Sequence, residues 1–236
     1  MSGKAVRFIV CLLALLLLEA GLSSLRQKVC SRSASALADY PAVTLRFLSP
    51  ANCGDKASLR RIRGQRYGQM QGVRRYESLL RRHAERIGMD WRLLSAIIWH
   101  ESQFNELACS PMEAKGLMQL REITAAHFGY LPGEVDLFDP ETNVSLGARL
   151  ISELIGQFRK EGMDSTNAVR FALASYNCGG GTLAKRRSEA AESGFDPADW
   201  AAVALIFERY SPLTPAYVDS VEQTFHDYCS VIEQHE

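Results

Sequence analysis

Beyond residue 70, apolar residues recur every three or four positions along much of the chain, the spacing of one face of a helix. Val73, Tyr76, Leu80, His83 and Ile87 make the first stripe, on which His83 reads as a packed core histidine. Leu94, Ile97, Ile98, Glu101 and Phe104 make the second, predicting a helix over 90–104 with Asp90 at its cap. The period lapses over 105–120, which carries Ser110-Pro111, and a short helix at 123–128 ends at Gly129. Asp139-Pro140 then opens a helix through Val144, Gly147, Ala148, Ile151, Leu154, Ile155 and Phe158, with Asp as cap and Pro in the first turn. Gly147 on that stripe suggests close backbone packing. Val169, Ala172, Leu173 and Tyr176 predict a helix over 166–177, stopped by Gly179-Gly180-Gly181. Further helices are expected at 182–192, at 198–209 behind Asp196-Pro197, and at 215–233. No strand series and no internal repeat stands out, so the fold class reads as mainly α.

Glu101 is the chemically informative position. It lies on the apolar stripe, where poor solvation raises a carboxyl pKa and favours the protonated form near neutral pH. That is the property of a general acid. The alternative is a Glu at the edge of the stripe whose head reaches water or an Arg.

Composition changes this picture in three places. The 236 residues suffice for one compact domain plus an N-terminal extension. The net charge of zero hides a basic segment over 56–86, where Lys56, Arg60, Arg61, Arg63, Arg66, Arg74, Arg75, Arg81, Arg82 and Arg86 face only Glu77 and Glu85. Such a segment suits anionic membrane or wall polymers, or is a solvated helix face. Nucleic acid is not expected, since no recognised module accompanies the charge. Lys4 and Arg7 precede an apolar run over 8–18, the form of a secretory signal, with a membrane anchor as the other reading. Ala36-Leu37-Ala38 offers a cleavage site, and Ala20 or Ser24 an earlier one. The expected organisation is a signal or anchor region at 1–38, a linker and basic extension at 39–69, and one domain at 70–236. Cys30, Cys53, Cys109, Cys178 and Cys229 lie beyond the run in a chain whose export permits disulfides.

Four motifs follow in order: Glu101-Ser102 in the second helix, Gly116-Leu117-Met118-Gln119, Asn143-Val144-Ser145-Leu146-Gly147, and Ala174-Ser175-Tyr176-Asn177-Cys178-Gly179. The set resembles the catalytic domain of the soluble-type lytic transglycosylases, which cut the glycan strands of peptidoglycan, and covers roughly residues 70–230. Phe171 to Asn177 and Asp196-Pro197-Ala198-Asp199-Trp200 look most like the MltF-like branch. The resemblance implies a lysozyme-like (goose-type) single domain, a periplasmic or envelope location, peptidoglycan strands as partner, and no cofactor or metal. It implies that Glu101 works alone, first as acid on the leaving oxygen, then as base on the C6 hydroxyl of N-acetylmuramic acid, closing a 1,6-anhydro ring. By the same motifs Ser102 orients Glu101 or supports the helix end. Met118 packs beneath a sugar or within the core. Gln119 bonds sugar or the Glu, Tyr176 brings its hydroxyl near Glu101, and Asn177 binds an acetamido group or fixes the turn. Because both flanking motifs line one cleft in that family, a Cys109–Cys178 bridge is the pairing implied, with buried thiols as the alternative.

The chain departs from the pattern at Glu113-Ala114 and at Arg121-Glu122-Ile123, where the family has Gly-Ala and Met-Pro, and at Cys178, where it has a small residue. A hydrolytic muramidase is the nearest rival reading and would need a second acid such as Glu106 or Glu113 beside Glu101; Glu122 also falls in a turn. A non-catalytic wall-binding scaffold is the rival of different class. A zinc peptidase fails because Phe104 stands where the second His of H-E-x-x-H belongs. A cysteine peptidase using Cys178 and His226 lacks any local signature.

Overall fold

A computed structural model describes residues 56–232. The expectations for the signal region, its cleavage sites, Cys30 and Cys53 lie outside those residues. Among the described residues there are eight helices and no strand: α1 (Lys56–Arg86), α2 (Trp91–Ser102), α3 (Glu122–His127), α4 (Pro140–Lys160), α5 (Ser165–Cys178), α6 (Gly180–Glu192), α7 (Trp200–Glu208) and α8 (Leu213–Ile232). α1 begins at Lys56, inside the segment expected as linker.

α5 runs through the middle, with Phe171, Ala172, Leu173 and Ala174 completely buried. Its small residues let α4 and α8 approach closely, while Phe171 joins an aromatic row, Phe158–Phe171–Trp200–Phe207, with ring centres 5.6, 5.5 and 6.1 Å apart. Burying one such ring stabilises the fold by roughly 2–3 kcal/mol. α2 presents Leu94, Ile97 and Ile98 to the same core, all without solvent exposure. Of the first predicted stripe, Val73, Tyr76, Leu80 and His83 are buried on α1, with His83 Nε2 2.8 Å from Glu141, while Ile87 follows the helix end and is partly buried.

The caps follow the sequence closely. Asp90 accepts the Arg92 N–H at 2.9 Å, Asp139 that of Thr142 at 2.8 Å, and Asp164 those of Thr166 and Asn167 at 2.8 and 2.9 Å. Three details differ from expectation. α2 ends at Ser102, because Gln103 and Phe104 both adopt left-handed backbone at φ 52° and 63°. That reversal lays Phe104 across α1, where it stacks on Tyr76 and fills the space a Cβ on Gly72 would need, 2.3 Å from the ring. The Gly run does not form a loop: Gly179 alone, at φ 82°, closes α5 and opens α6. α7 is capped by Asp199, not Asp196, which is engaged one turn earlier with the Ala198 N–H.

The thiols of Cys109 and Cys178 do not join each other. They lie against the carbonyls of Ser110 and Gly179, at 3.7 and 3.6 Å, so the bridge implied by resemblance is absent. No described helix is long and apolar enough to cross a membrane.

Candidate active site

Glu101 lies in the last turn of α2, half-buried. Its Oε1 accepts a hydrogen bond of 2.7 Å from the hydroxyl of Tyr217, in the first turns of α8. Burial pushes the Glu101 carboxyl up to about 7, and the Tyr217 bond, which favours the anion, offsets only part of that. Tyr217 and Tyr176 are both held well above the ordinary tyrosine range, chiefly by burial and further by the charge of Glu101. Both phenols therefore stay protonated at neutral pH, able to donate.

The other wall is the turn at residues 116–119. Gly116 sits at φ 74°, and a Cβ there would lie 2.3 Å from the Leu137 carbonyl and 2.4 Å from the Asn143 amide. Three helices fasten the turn. From α2, the Ser102 hydroxyl donates to the Leu117 carbonyl at 2.7 Å. From α5, the Tyr176 hydroxyl donates to the Met118 carbonyl at 2.6 Å. From α4, the fully buried Asn143 accepts the Met118 N–H at 2.7 Å and donates to the Lys115 and Leu137 carbonyls at 2.9 and 2.7 Å. Five polar backbone groups, four carbonyls and one N–H, thus find partners away from water.

The geometry redistributes the roles read from the motifs. Ser102 is buried and ties α2 to the turn. The Met118 side chain is completely enclosed, its sulfur occupying the space that a Cβ on Gly147 would need, so it offers no surface beneath a sugar. Gln119, left-handed at φ 48°, turns its amide inward and donates to the Ala108 and Gly116 carbonyls at 3.1 and 3.0 Å. Asn177 is exposed at the end of α5 and accepts from the Thr214 hydroxyl at 3.0 Å, joining α5 to the start of α8. Two residues were not singled out by sequence. Asn143 carries a motif but no expected site role, although a buried Asn on an apolar stripe signals a satisfied polar network. Tyr217 arrives from another helix and belongs to a stripe, with Val218 and Val221, that reads as packing.

Two of the three other candidate acids are engaged elsewhere. Glu106 accepts from the Tyr76 hydroxyl and pairs with Arg75, both on α1. Glu122 pairs with Lys115 at 2.9 Å, which holds its carboxyl below the usual range. Glu113 is exposed. Among the described residues no group of three or more His, Cys, Asp or Glu is arranged to hold a metal ion. A groove of about 520 Å³ adjoins Tyr176, between α4, α5 and α6, with Leu154, Phe158, Leu183 and Arg187 in its walls.

Comparison with known proteins places this arrangement. The Transglycosylase SLT domain family matches residues 78–198. The membrane-bound lytic murein transglycosylase F of Desulfosudis oleivorans is 36% identical over 126 residues, covering 53% of this chain and 27% of that protein. Its counterpart in Marinobacter nauticus is 38% identical over 126 residues, covering 53% and 24%. The chain thus spans about a quarter of the length of these relatives. Among solved structures, lytic transglycosylase Slt of Pseudomonas aeruginosa superposes with a TM-score of 0.54 at 24% identity, covering 67% of this chain and 24% of that one. The 70 kDa soluble lytic transglycosylase of Escherichia coli gives 0.53 at 27% identity, covering 66% and 24%. With a family match over half its length and the lysozyme-like helical fold, the chain belongs to the Transglycosylase SLT domain family.

Proposed function

We propose that this chain is a peptidoglycan lytic transglycosylase in which Glu101 is the single acid and base. The observation that carries the reading is one half-buried carboxyl at about 7, touched by a tyrosine hydroxyl, with Glu106 and Glu122 bound to other partners. A protonated Glu101 gives its proton to the glycosidic oxygen between N-acetylmuramic acid and N-acetylglucosamine as that bond breaks. The resulting carboxylate, supported by the Tyr217 hydroxyl, removes the C6 hydroxyl proton. The C6 oxygen then closes on the anomeric carbon as a 1,6-anhydro ring. No water is consumed and Glu101 regains its proton. Ser102, Met118, Gln119 and Tyr176 serve by fixing the turn beside the carboxyl, and Asn177 presents an exposed amide to the N-acetyl groups of the strand.

The membrane-bound relatives support work in the cell envelope, and the sequence pattern supports residues 1–38 as the signal or anchor ahead of a catalytic domain at 70–236. The basic face of α1 is a weaker candidate for wall or membrane contact, because Arg75, Arg81 and Arg82 pair with Glu106, Glu77 and Glu141. The test is mass spectrometry of purified peptidoglycan digested by the protein, with Glu101→Gln as control. Muropeptides ending in 1,6-anhydro-N-acetylmuramic acid, absent with the variant, are the expected result. Reducing ends would mean a hydrolase, and binding without any product a scaffold.

A further inference from the structure

His100 precedes the candidate acid in sequence, and its hydrogen-bond partner is a different one. Neighbours in a helix point about 100° apart, so Glu101 and His100 leave α2 in different directions. Both nevertheless meet α8. Glu101 receives the Tyr217 hydroxyl at 2.7 Å. The His100 ring lies edge-on to the Tyr217 ring, with centres 6.4 Å apart and planes at 75°. Its Nε2 is 2.8 Å from the hydroxyl of the buried Thr224, and the backbone of Ser220 lies beside the ring. Residues 217, 220 and 224 follow one another along one face of α8 at helical spacing. His100 thus grips that face at two points beyond Tyr217 and touches the phenol itself.

We propose that His100 is a positioning residue that fixes the rotation of α8 and so keeps the Tyr217 hydroxyl on Glu101. This rests on the reading of Glu101 as acid and base. A rotation of about 20° carries a group roughly 6 Å from a helix axis by about 2 Å, enough to break a hydrogen bond. A neutral imidazole has one donor and one acceptor, which matches the two polar partners, and burial keeps His100 neutral by pulling it down to about 4. The titratable groups that face the Glu101 carboxyl are Tyr217 of α8 and Tyr176 of α5, and His100 acts on the first of them.

The experiment is NMR titration of Glu101 in carbon-13 glutamate-labelled protein, assigned by Glu101→Gln. The set is the parent protein, Tyr217→Phe, His100→Leu, Thr224→Val and the two double variants with Tyr217→Phe. Tyr217→Phe removes the donor that favours the anion and lifts Glu101 above its parental value of about 7. His100→Leu and Thr224→Val move it the same way, and neither adds to Tyr217→Phe. His100→Gln, which retains a donor and an acceptor, restores part of the parental value. Thr224→Val cuts the same contact from the other helix and covers the case in which His100→Leu does not fold. The proposal is overturned if the His100 and Thr224 variants leave Glu101 at its parental value, lower it, or shift it equally with and without Tyr217. It is overturned too if Tyr217→Phe itself does nothing. Turnover of peptidoglycan is measured in parallel: a parent protein that makes no product refutes the proposed function, while the titration still decides the role of His100.

Discussion

The turn at residues 116–119 is hydrogen-bonded to Ser102, Asn143 and Tyr176 on three helices, whereas the Glu101 carboxyl beside it accepts one bond, from Tyr217. The first region is over-determined. Losing any one bond leaves the others to hold the backbone, and the buried groups concerned have little freedom to relax. The second is poised: one donor against a desolvating pocket leaves the carboxyl near neutrality, where it can give a proton and take one back. The difference teaches a division of labour, with rigidity concentrated in backbone that carries no chemistry and balance kept at the group that does.

The largest expected effect comes from removing the poised group. Glu101→Gln keeps shape and loses the proton, and turnover of peptidoglycan falls by about 10³-fold or more. Its stability should go the other way. A carboxyl whose folded value is raised to about 7, from 4.5, favours the native state fully below 4.5 and loses that contribution as pH rises through 7. Thermal unfolding of the two proteins should therefore coincide at pH 4. By pH 8 the Gln variant should be more stable by up to about 3 kcal/mol. The same value sets the alkaline limb of the pH–rate profile near 7, since only the protonated acid starts the reaction.

Asn143→Ala attacks the over-determined side. It strips three bonds from buried backbone groups and leaves the Met118 N–H unpaired, which costs about 3–5 kcal/mol. Calorimetry should show a loss of roughly 10 °C. A loss below about 1 kcal/mol would mean that water replaces the amide and that the turn is less rigid than its bonding implies. Tyr217→Phe attacks the poised side and should show the opposite signature. Activity drops about tenfold while the melting temperature changes little, because a single hydroxyl bonded to a carboxyl serves the reaction more than the fold.

Much of this architecture is legible in the sequence because helices announce themselves by period and cap. Asp90, Asp139 and Asp164 each precede a stripe and each accept N–H groups of the first turn. Where two caps compete, as Asp196 and Asp199 do, propensity does not choose between them. The choice is made by tertiary contact, since Asn167 on α5 takes the Trp200 N–H at 2.9 Å and sets where α7 starts. The motifs located the turn and the carboxyl but not the direction of their side chains. Met118 faces inward because Gly147 leaves room for its sulfur, and Gln119 because its left-handed backbone turns the amide back on Gly116. Tyr217 stayed hidden for another reason. It meets Glu101 across 116 residues of sequence, a separation at which local pattern carries no information.

The smallest expected effect tests whether the poised side contains a second acid. Glu106 is the carboxylate nearest to Glu101 in sequence, and a hydrolase would need such a group free to activate water. Here its two oxygens are taken by Tyr76 and Arg75 of α1, in a partly exposed pair where a salt bridge contributes about 0–1 kcal/mol. Glu106→Gln keeps an acceptor for the tyrosine and gives up the charge. With Glu106 as a strut for the loop after α2, turnover should change less than about twofold and the melting temperature by a degree or two. With Glu106 as a water-activating base, turnover should fall by about 10²-fold or more at unchanged stability. The two outcomes differ by at least a factor of fifty, so a single rate measurement on this variant tells whether Glu106 is a second acid.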